Sequence, residues 1–227
     1  MTKKLPAWSF SGLKSFLGCG LKYYHLKVAK TYSEPPTEAT LYGTEFHLAC
    51  EEYVRDGKPL PGRFQYFKDT LDALIAKPGE KVCEKKLALN ADLQPCDFFA
   101  PDCWFRGIAD LLILNHDKGT AFVVDYKTGK NAKYADIKQL DLLAGAIFVH
   151  FPKVETINSA LLYVVSQEMP RKIHHRQHLP TYMGVFDDQL DRLEAAKENG
   201  VWNANPSGLC GWCPVETCEH WRPRRRG

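Results

Sequence analysis

The order of periodicities along the chain predicts an α/β fold in which a mixed central β-sheet is flanked by helices. Three observations carry that expectation: three helical segments come first, strand-like runs follow, and a clean helical stripe stands between the central strands and a later one. At 227 residues and 44% hydrophobic content, the chain can bury one sizeable core, so a single domain over residues 1–227 is expected. No run approaches the length of a membrane span, and MTKKLPAW lacks the apolar segment of a signal peptide. A cytoplasmic protein with no membrane partner is therefore expected. A net charge of +3 neither demands nor excludes a polyanionic partner, which local charge must decide.

In chain order, Ser9 caps a helix reaching about residue 27, with Leu13, Phe16, Leu17, Leu21 and Tyr24 at helical spacing. Gly18-Cys19-Gly20 are poor helix formers, so irregularity is expected there, with the thiol accessible. A second helix starts near Thr37 or Thr40 and runs to about residue 55, placing Gly43 and His47 one turn apart on one face. A third fits residues 64–75 as scaffold. Residues 82–89 read as a strand, and 90–103 as a loop. Beyond the central hairpin, residues 136–151 carry a helical stripe, with Gln139 beside it near the helix start. Residues 156–165 form a further strand and 172–179 an edge strand rich in His. A helix over 187–199 follows.

The stretch WFRGIADLLILNHDKGTAFVVDYKTGK, residues 104–130, reads as a hairpin that brings Asp110 toward Asp125 and Lys127. Period-two alternation projects Asp125 and Lys127 from one face while Tyr126 points away. An aspartate inside a β-branched strand is costly without a partner. A divalent cation would pair with both carboxylates, and hard cations such as Mg²⁺ or Mn²⁺ prefer oxygen ligands. The plainer reading makes Asp110 a strand-end residue and Asp125–Lys127 an exposed ion pair. His47 can ligate a cation through a neutral imidazole or serve only in packing.

Eight cysteines in a reducing compartment point to metal rather than disulfides where they cluster. Cys210, Cys213 and Cys218 fall within nine residues after the loop-like Asn205-Pro206-Ser207-Gly208. Three thiolates need a fourth ligand: nearby His220 would favour zinc, distant Cys19 an iron-sulfur cluster. Cys50, Cys83, Cys96 and Cys103 show no tight metal spacing.

Taken together, Ser9-Phe-Ser11 with Cys19, Gly43-Thr-Glu-Phe-His47, Gly107-Ile-Ala-Asp110, Asp125-Tyr-Lys127, Gln139 and the C-terminal Cys triplet resemble the RecB-like, iron-sulfur branch of the PD-(D/E)XK nucleases. That branch includes the CRISPR-adaptation nuclease and phage-encoded exonucleases. The resemblance implies a restriction-endonuclease-like core in which His47, Asp110, Asp125 and the Tyr126 carbonyl hold Mn²⁺ or Mg²⁺. Lys127 would orient or activate the attacking water, and Gln139 would help position substrate. Cys19, Cys210, Cys213 and Cys218 would hold a 4Fe-4S cluster, so that residues 1–30 and 200–221 form a cluster-stapled region, with a basic tail at 222–227. The third carboxylate is Asp125 where this branch often has Glu, and the position four after Gln139, commonly Tyr, is Leu143.

The function so implied is metal-dependent hydrolysis of single-stranded DNA or DNA ends, in the host cytoplasm if the chain is phage-encoded. An endonuclease or a CRISPR-adaptation processing subunit would share the active site. A non-catalytic DNA-binding module with a structural zinc or iron-sulfur site would not need it. Recombination, replication or CRISPR-adaptation proteins are the implied partners.

Overall fold

The structure, a computed structural model, describes residues 7–133 and 135–223. Arg224, Arg225 and Arg226 of the basic tail lie outside the described residues. The chain divides into two compact units, Pro36–Val185 and a smaller one made from both chain ends, Met1–Pro35 with Phe186–Gly227. The strands are β1 Glu80–Asn90, β2 Cys103–Asn115, β3 Thr120–Lys127, β4 Thr156–Tyr163 and β5 Arg171–His175. The helices are α1 Phe10–Gly18, α2 Gly20–Tyr23, α3 Glu38–Asp56, α4 Lys68–Ile75, α5 Lys138–His150, α6 Leu179–Met183 and α7 Asp187–Asn199.

In the larger unit the five strands pair in sequence order. The β3–β4 pair is parallel and the other three are antiparallel, so the expected mixed sheet with flanking helices is present. A parallel pair needs a crossover, which α5 supplies. The β2–β3 turn closes through Gly119 at φ 58°, where a Cβ would sit 2.9 Å from the Lys153 carbonyl oxygen. Only glycine meets both demands.

Strand alternation sorts the two faces of the sheet. Leu111, Ile113, Val124, Tyr126 and Leu162 pack with Phe46, Cys50, Phe64, Phe67 and Leu71. Leu161 and Tyr163, out of step with Leu162 along β4, pack with Leu140 of α5. Helices thus cover both faces. The α3 start is fixed by a reciprocal cap, in which Thr37 Oγ1 accepts from the Thr40 N–H at 3.2 Å and Thr40 Oγ1 from the Thr37 N–H at 2.9 Å. Gly57, at φ 67°, ends it.

Two elements differ from their sequence expectation. The helix expected over 64–75 begins as a 3-10 turn, Gly62–Phe67, before α4. Three-residue spacing eclipses Phe64 and Phe67, and both become buried in that tighter turn. The edge strand expected over 172–179 stops at His175. There the Arg176 guanidinium donates to the carbonyls of Val154, Phe148 and Phe151 at 2.7, 3.0 and 2.7 Å, and Pro180 sits in the first turn of α6.

Edge strand β5 is tied to α5 by a buried polar network. His174 Nε2 lies 2.9 Å and Lys172 Nζ 2.7 Å from Asp141 Oδ1, while Ser159 Oγ lies 3.3 Å from His174 Nδ1. The order carboxylate, imidazole, hydroxyl suggests a hydrolytic triad. Yet Ser159 is 1% exposed and its hydroxyl donates to the Lys172 carbonyl, so no substrate reaches it and the network serves the fold. Burial alone would raise the Asp141 carboxyl, but hydrogen bonds from His174 and Lys172 hold it below its ordinary value. Asp141→Ala leaves the fully buried His174 imidazole without its partner, while the Lys172 ammonium still reaches water, and should cost about 1–3 kcal/mol, read as a lower denaturant midpoint. An unchanged midpoint would show that the network adds nothing.

In the smaller unit Ser9 Oγ caps α1 by accepting from the Gly12 N–H at 3.2 Å. The helix breaks at Cys19, whose backbone is extended (φ −165°, ψ 111°), and resumes as α2. The break admits the C-terminal segment: Leu21 N–H donates to the Asn203 carbonyl at 3.0 Å, and a Cβ at Gly20 would lie 3.1 Å from that oxygen. Trp202 packs its ring against Phe16, Tyr23 and Tyr24, with centroids 5.4–6.2 Å apart.

Candidate active site

At the end of the β2–β3 hairpin the strands part, and helices on either side supply the remaining groups. The Tyr126 N–H donates to Asp110 Oδ2 at 2.6 Å, which aims Asp110 Oδ1 at His47 Nδ1, 3.4 Å away on α3. The approach of α3 depends on Gly43, one turn before His47, since a Cβ there would sit 3.2 Å from Thr128 Oγ1. Asp125 is 6% exposed. Its Oδ1 accepts from Gln139 Nε2 on α5 at 2.8 Å, and its Oδ2 is in ion contact with Lys127. The Tyr126 ring is buried edge-on to Phe46, Phe67 and His47. The structure thus brings His47, Asp110, Asp125, Tyr126, Lys127 and Gln139 to one place. Leu143 is buried and cannot offer a surface contact.

One more residue belongs to this group. The β1–β2 ladder pairs Cys83 with Leu111 and Lys85 with Ala109, which leaves Glu84 opposite Asp110. Its backbone is left-handed, φ 48°, a conformation that costs a non-glycine residue on the order of 1–3 kcal/mol. Ligand atoms of His47, Glu84 and Asp110 all lie within 4.8 Å of one another. Sequence reasoning missed Glu84 because the register of β1 on β2 is set across a connection too long to count through.

The electrostatics leave room for a cation. Burial and the neighbouring Asp110 push the Asp125 carboxyl up to about 6, against the pull of Lys127. Burial and Asp110 push Glu84 up to about 7. His47 would be lowered by burial, but its hydrogen bond to Asp110 and the surrounding carboxylates raise it on balance. Two carboxylates and an imidazole at this spacing, with the Asp125 carboxyl as an electrostatic neighbour, fit a hard divalent ion, which would relieve their repulsion.

In the smaller unit Cys19, Cys210, Cys213 and Cys218 line one cavity together with His220. All four are free thiols. Two receive backbone donors: the Asn205 N–H reaches Cys19 Sγ at 3.4 Å and the Ser207 N–H reaches Cys210 Sγ at 3.3 Å. The other cysteines stand apart. Burial pushes the Cys50 thiol up strongly, and those of Cys83 and Cys96 up to about 11, which keeps them protonated and inert.

A family model described as the PD-(D/E)XK nuclease superfamily matches residues 7–218. Among solved structures the chain is similar to a "Putative exonuclease" from Eubacterium rectale, with TM-score 0.51 and 15% identity over 97% of this chain and 90% of that one. It is also similar to the crystal structure of SSO0001, with TM-score 0.45 and 10% identity over 98% and 90%. The first likeness shows a shared fold. No curated protein matches the sequence.

Proposed function

The chain belongs to the PD-(D/E)XK nuclease superfamily, and from that premise we propose a metal-dependent exonuclease that hydrolyses phosphodiester bonds in single-stranded DNA or at DNA ends. The observation that carries the site is the convergence of His47, Glu84 and Asp110 within 4.8 Å beside Asp125 and Lys127. His47, Glu84, Asp110 and Asp125, with the Tyr126 carbonyl, would hold Mn²⁺ or Mg²⁺. Such an ion supplies Lewis acidity at the phosphoryl oxygens and makes a water in its shell more acidic.

The side chains do the rest. Lys127 keeps an ammonium against Asp125, where it orients the attacking water and faces the charge that develops on the phosphoryl oxygens. Gln139, donating to Asp125 Oδ1, fixes the rotamer of Asp125 while the other oxygen meets Lys127. Asp110 holds His47 in place. No nucleophilic side chain is required. A linear end-labelled strand and a closed single-stranded circle, each with and without Mn²⁺, test the reading. Metal-dependent loss of the linear strand with the circle intact is expected, whereas cutting of the circle makes the enzyme an endonuclease. No cleavage of either by purified, metal-loaded protein would remove the reading.

The ligands are unequal. Glu84→Gln should weaken Mn²⁺ at least as much as loss of an outer partner, roughly 10–100-fold. His47→Ala should cost less, because water replaces a neutral nitrogen more readily than a carboxylate. Calorimetric Mn²⁺ titrations read both, and wild-type affinity for Glu84→Gln would exclude it from the site. Folding raises Asp125 and Glu84, so the metal-free native state binds more protons than the unfolded chain. Its stability should fall as pH rises from the ordinary carboxylate range, about 4, through about 6 and 7. The increase in melting temperature on adding Mn²⁺ should therefore be larger near neutral pH than at about pH 5.

For the terminal cysteines we propose a 4Fe-4S cluster on Cys19, Cys210, Cys213 and Cys218. Cys19 lines the same cavity as Cys210, Cys213 and Cys218, which supplies the four-thiolate set that a cluster takes. The backbone N–H groups aimed at Cys19 and Cys210 are the kind that tune cluster sulfurs.

A further inference from the structure

Beside the active site lies a surface that the hydrolytic chemistry does not use. Arg106, Ile108 and Asp110 alternate along β2 and so share one side of it. All three are open to solvent in part, while Phe105, Ala109 and Leu111, at alternate positions, are buried. On β1, Lys86 pairs with Ile108 and Ala88 with Arg106. The connection from β1 to β2 then folds Phe98 and Phe99 over the two cations. Lys86 Nζ lies 5.6 Å from each ring centroid, and Arg106 Cζ lies 5.3 and 5.4 Å from them. The rings meet edge to face, 5.2 Å apart.

Burial does not account for this arrangement. Phe99 is 76% exposed and Ile108 39%, so the loop displays apolar surface rather than covering it. Among the described residues no carboxylate lies within ion-pair distance of Lys86 or Arg106, and Arg106 Nε is shielded from water without a hydrogen-bond partner. Exposed aromatic faces beside unpaired cations are what single-stranded nucleic acid binds: bases stack on the rings and phosphates meet the charges. The position is also suitable. Four residues of strand separate Asp110 from Arg106, about 13 Å. That spans roughly two to four nucleotides, according to how far the strand is drawn out from its 3.4 Å stacked rise.

Resting on the nuclease reading above, we propose that Phe98, Phe99, Lys86 and Arg106 form a subsite that stacks a base and binds a phosphate of the DNA strand a few nucleotides from the scissile bond. The rival account is a cation–π clasp that only anchors the loop. Fluorescein-labelled oligothymidylate, titrated in EDTA so that it is bound and not cut, separates the two. Phe99→Ala should weaken binding roughly 5- to 100-fold with an unchanged melting temperature. Lys86→Gln should flatten the log-log salt dependence by about 0.7. Metal-dependent hydrolysis of a thymidine dinucleotide, too short to reach the rings, should stay at the wild-type rate in both variants. Wild-type binding by Phe99→Ala, or an equal loss on dinucleotide and long strand, would overturn the subsite while leaving the nuclease in place. A wild-type protein that neither binds nor cuts the oligonucleotide would take the nuclease reading down, and this inference with it.

Discussion

Asp125→Ala is expected to abolish cleavage, by at least the 10²–10³-fold that loss of one preorganised stabilising group costs, while the variant still binds DNA. Asp125 is buried, yet carries a carboxyl that its surroundings push up to about 6. At neutral pH the fold therefore holds a charge it would rather neutralise. Such a group weakens the metal-free fold, so Asp125→Asn, which keeps the shape, should melt no lower than wild type near neutrality. Loss of activity together with retained stability is the mark of a group kept for chemistry. Asp110→Ala and Lys127→Ala should be equally inactive, by different routes: the first releases His47 and the Tyr126 N–H, the second removes the ammonium beside Asp125. DNA affinity by anisotropy and melting temperature, measured on the same preparations, separate lost chemistry from lost structure. Turnover at the wild-type rate by any one of the three would remove the active-site assignment.

What could be read from the sequence follows from the range of the interactions involved. Asp110, Asp125 and Lys127 lie on two strands joined by a short turn, so turn length and period-two alternation nearly set their relation. The starts of α1 and α3 were legible because a cap is a local device, written in Ser9 and Thr37. Glu84 was not, since its place opposite Asp110 depends on a distant register and on a left-handed backbone that no residue preference signals for glutamate. Gly20 was read as a helix breaker. The closer reason is that Asn203, far along the chain, comes against it. The end of β5 was missed because the Arg176 hydrogen bonds that turn the chain reach the end of α5 and the loop after it. Phe98 and Phe99 lay in a segment whose Asp, Pro and Cys content reads as loop, and nothing local indicates that Lys86 and Arg106 lie beneath them.

Cys19→Ser is expected to cost the cluster and, with it, much of the smaller unit's stability. Cys19 stands in the break between α1 and α2, and the other three thiols follow residue 209. A cross-link from Cys19 to Cys210 therefore closes a loop of roughly 190 residues, for which the chain-entropy model gives on the order of 5 kcal/mol, with the mechanism disputed. That is comparable to the whole net stability of a typical domain. The alternative remains chemically sound, because His220 lines the same cavity and three thiolates with one imidazole make a good zinc site. The two differ at Cys19, which zinc on Cys210, Cys213, Cys218 and His220 leaves idle. Protein purified without oxygen should be brown, with broad absorbance near about 400 nm and roughly four iron and four sulfide per chain. Cys19→Ser should be pale and poorly soluble, and His220→Ala should keep its colour. Cys96→Ser is the matched control, a thiol elsewhere in the chain whose loss should change neither colour nor iron content. Colourless wild-type protein with one zinc per chain, with Cys19→Ser indistinguishable from it and His220→Ala metal-free, would replace the cluster with zinc. The hydrolytic site would be untouched by that outcome, since none of its ligands lies among these residues.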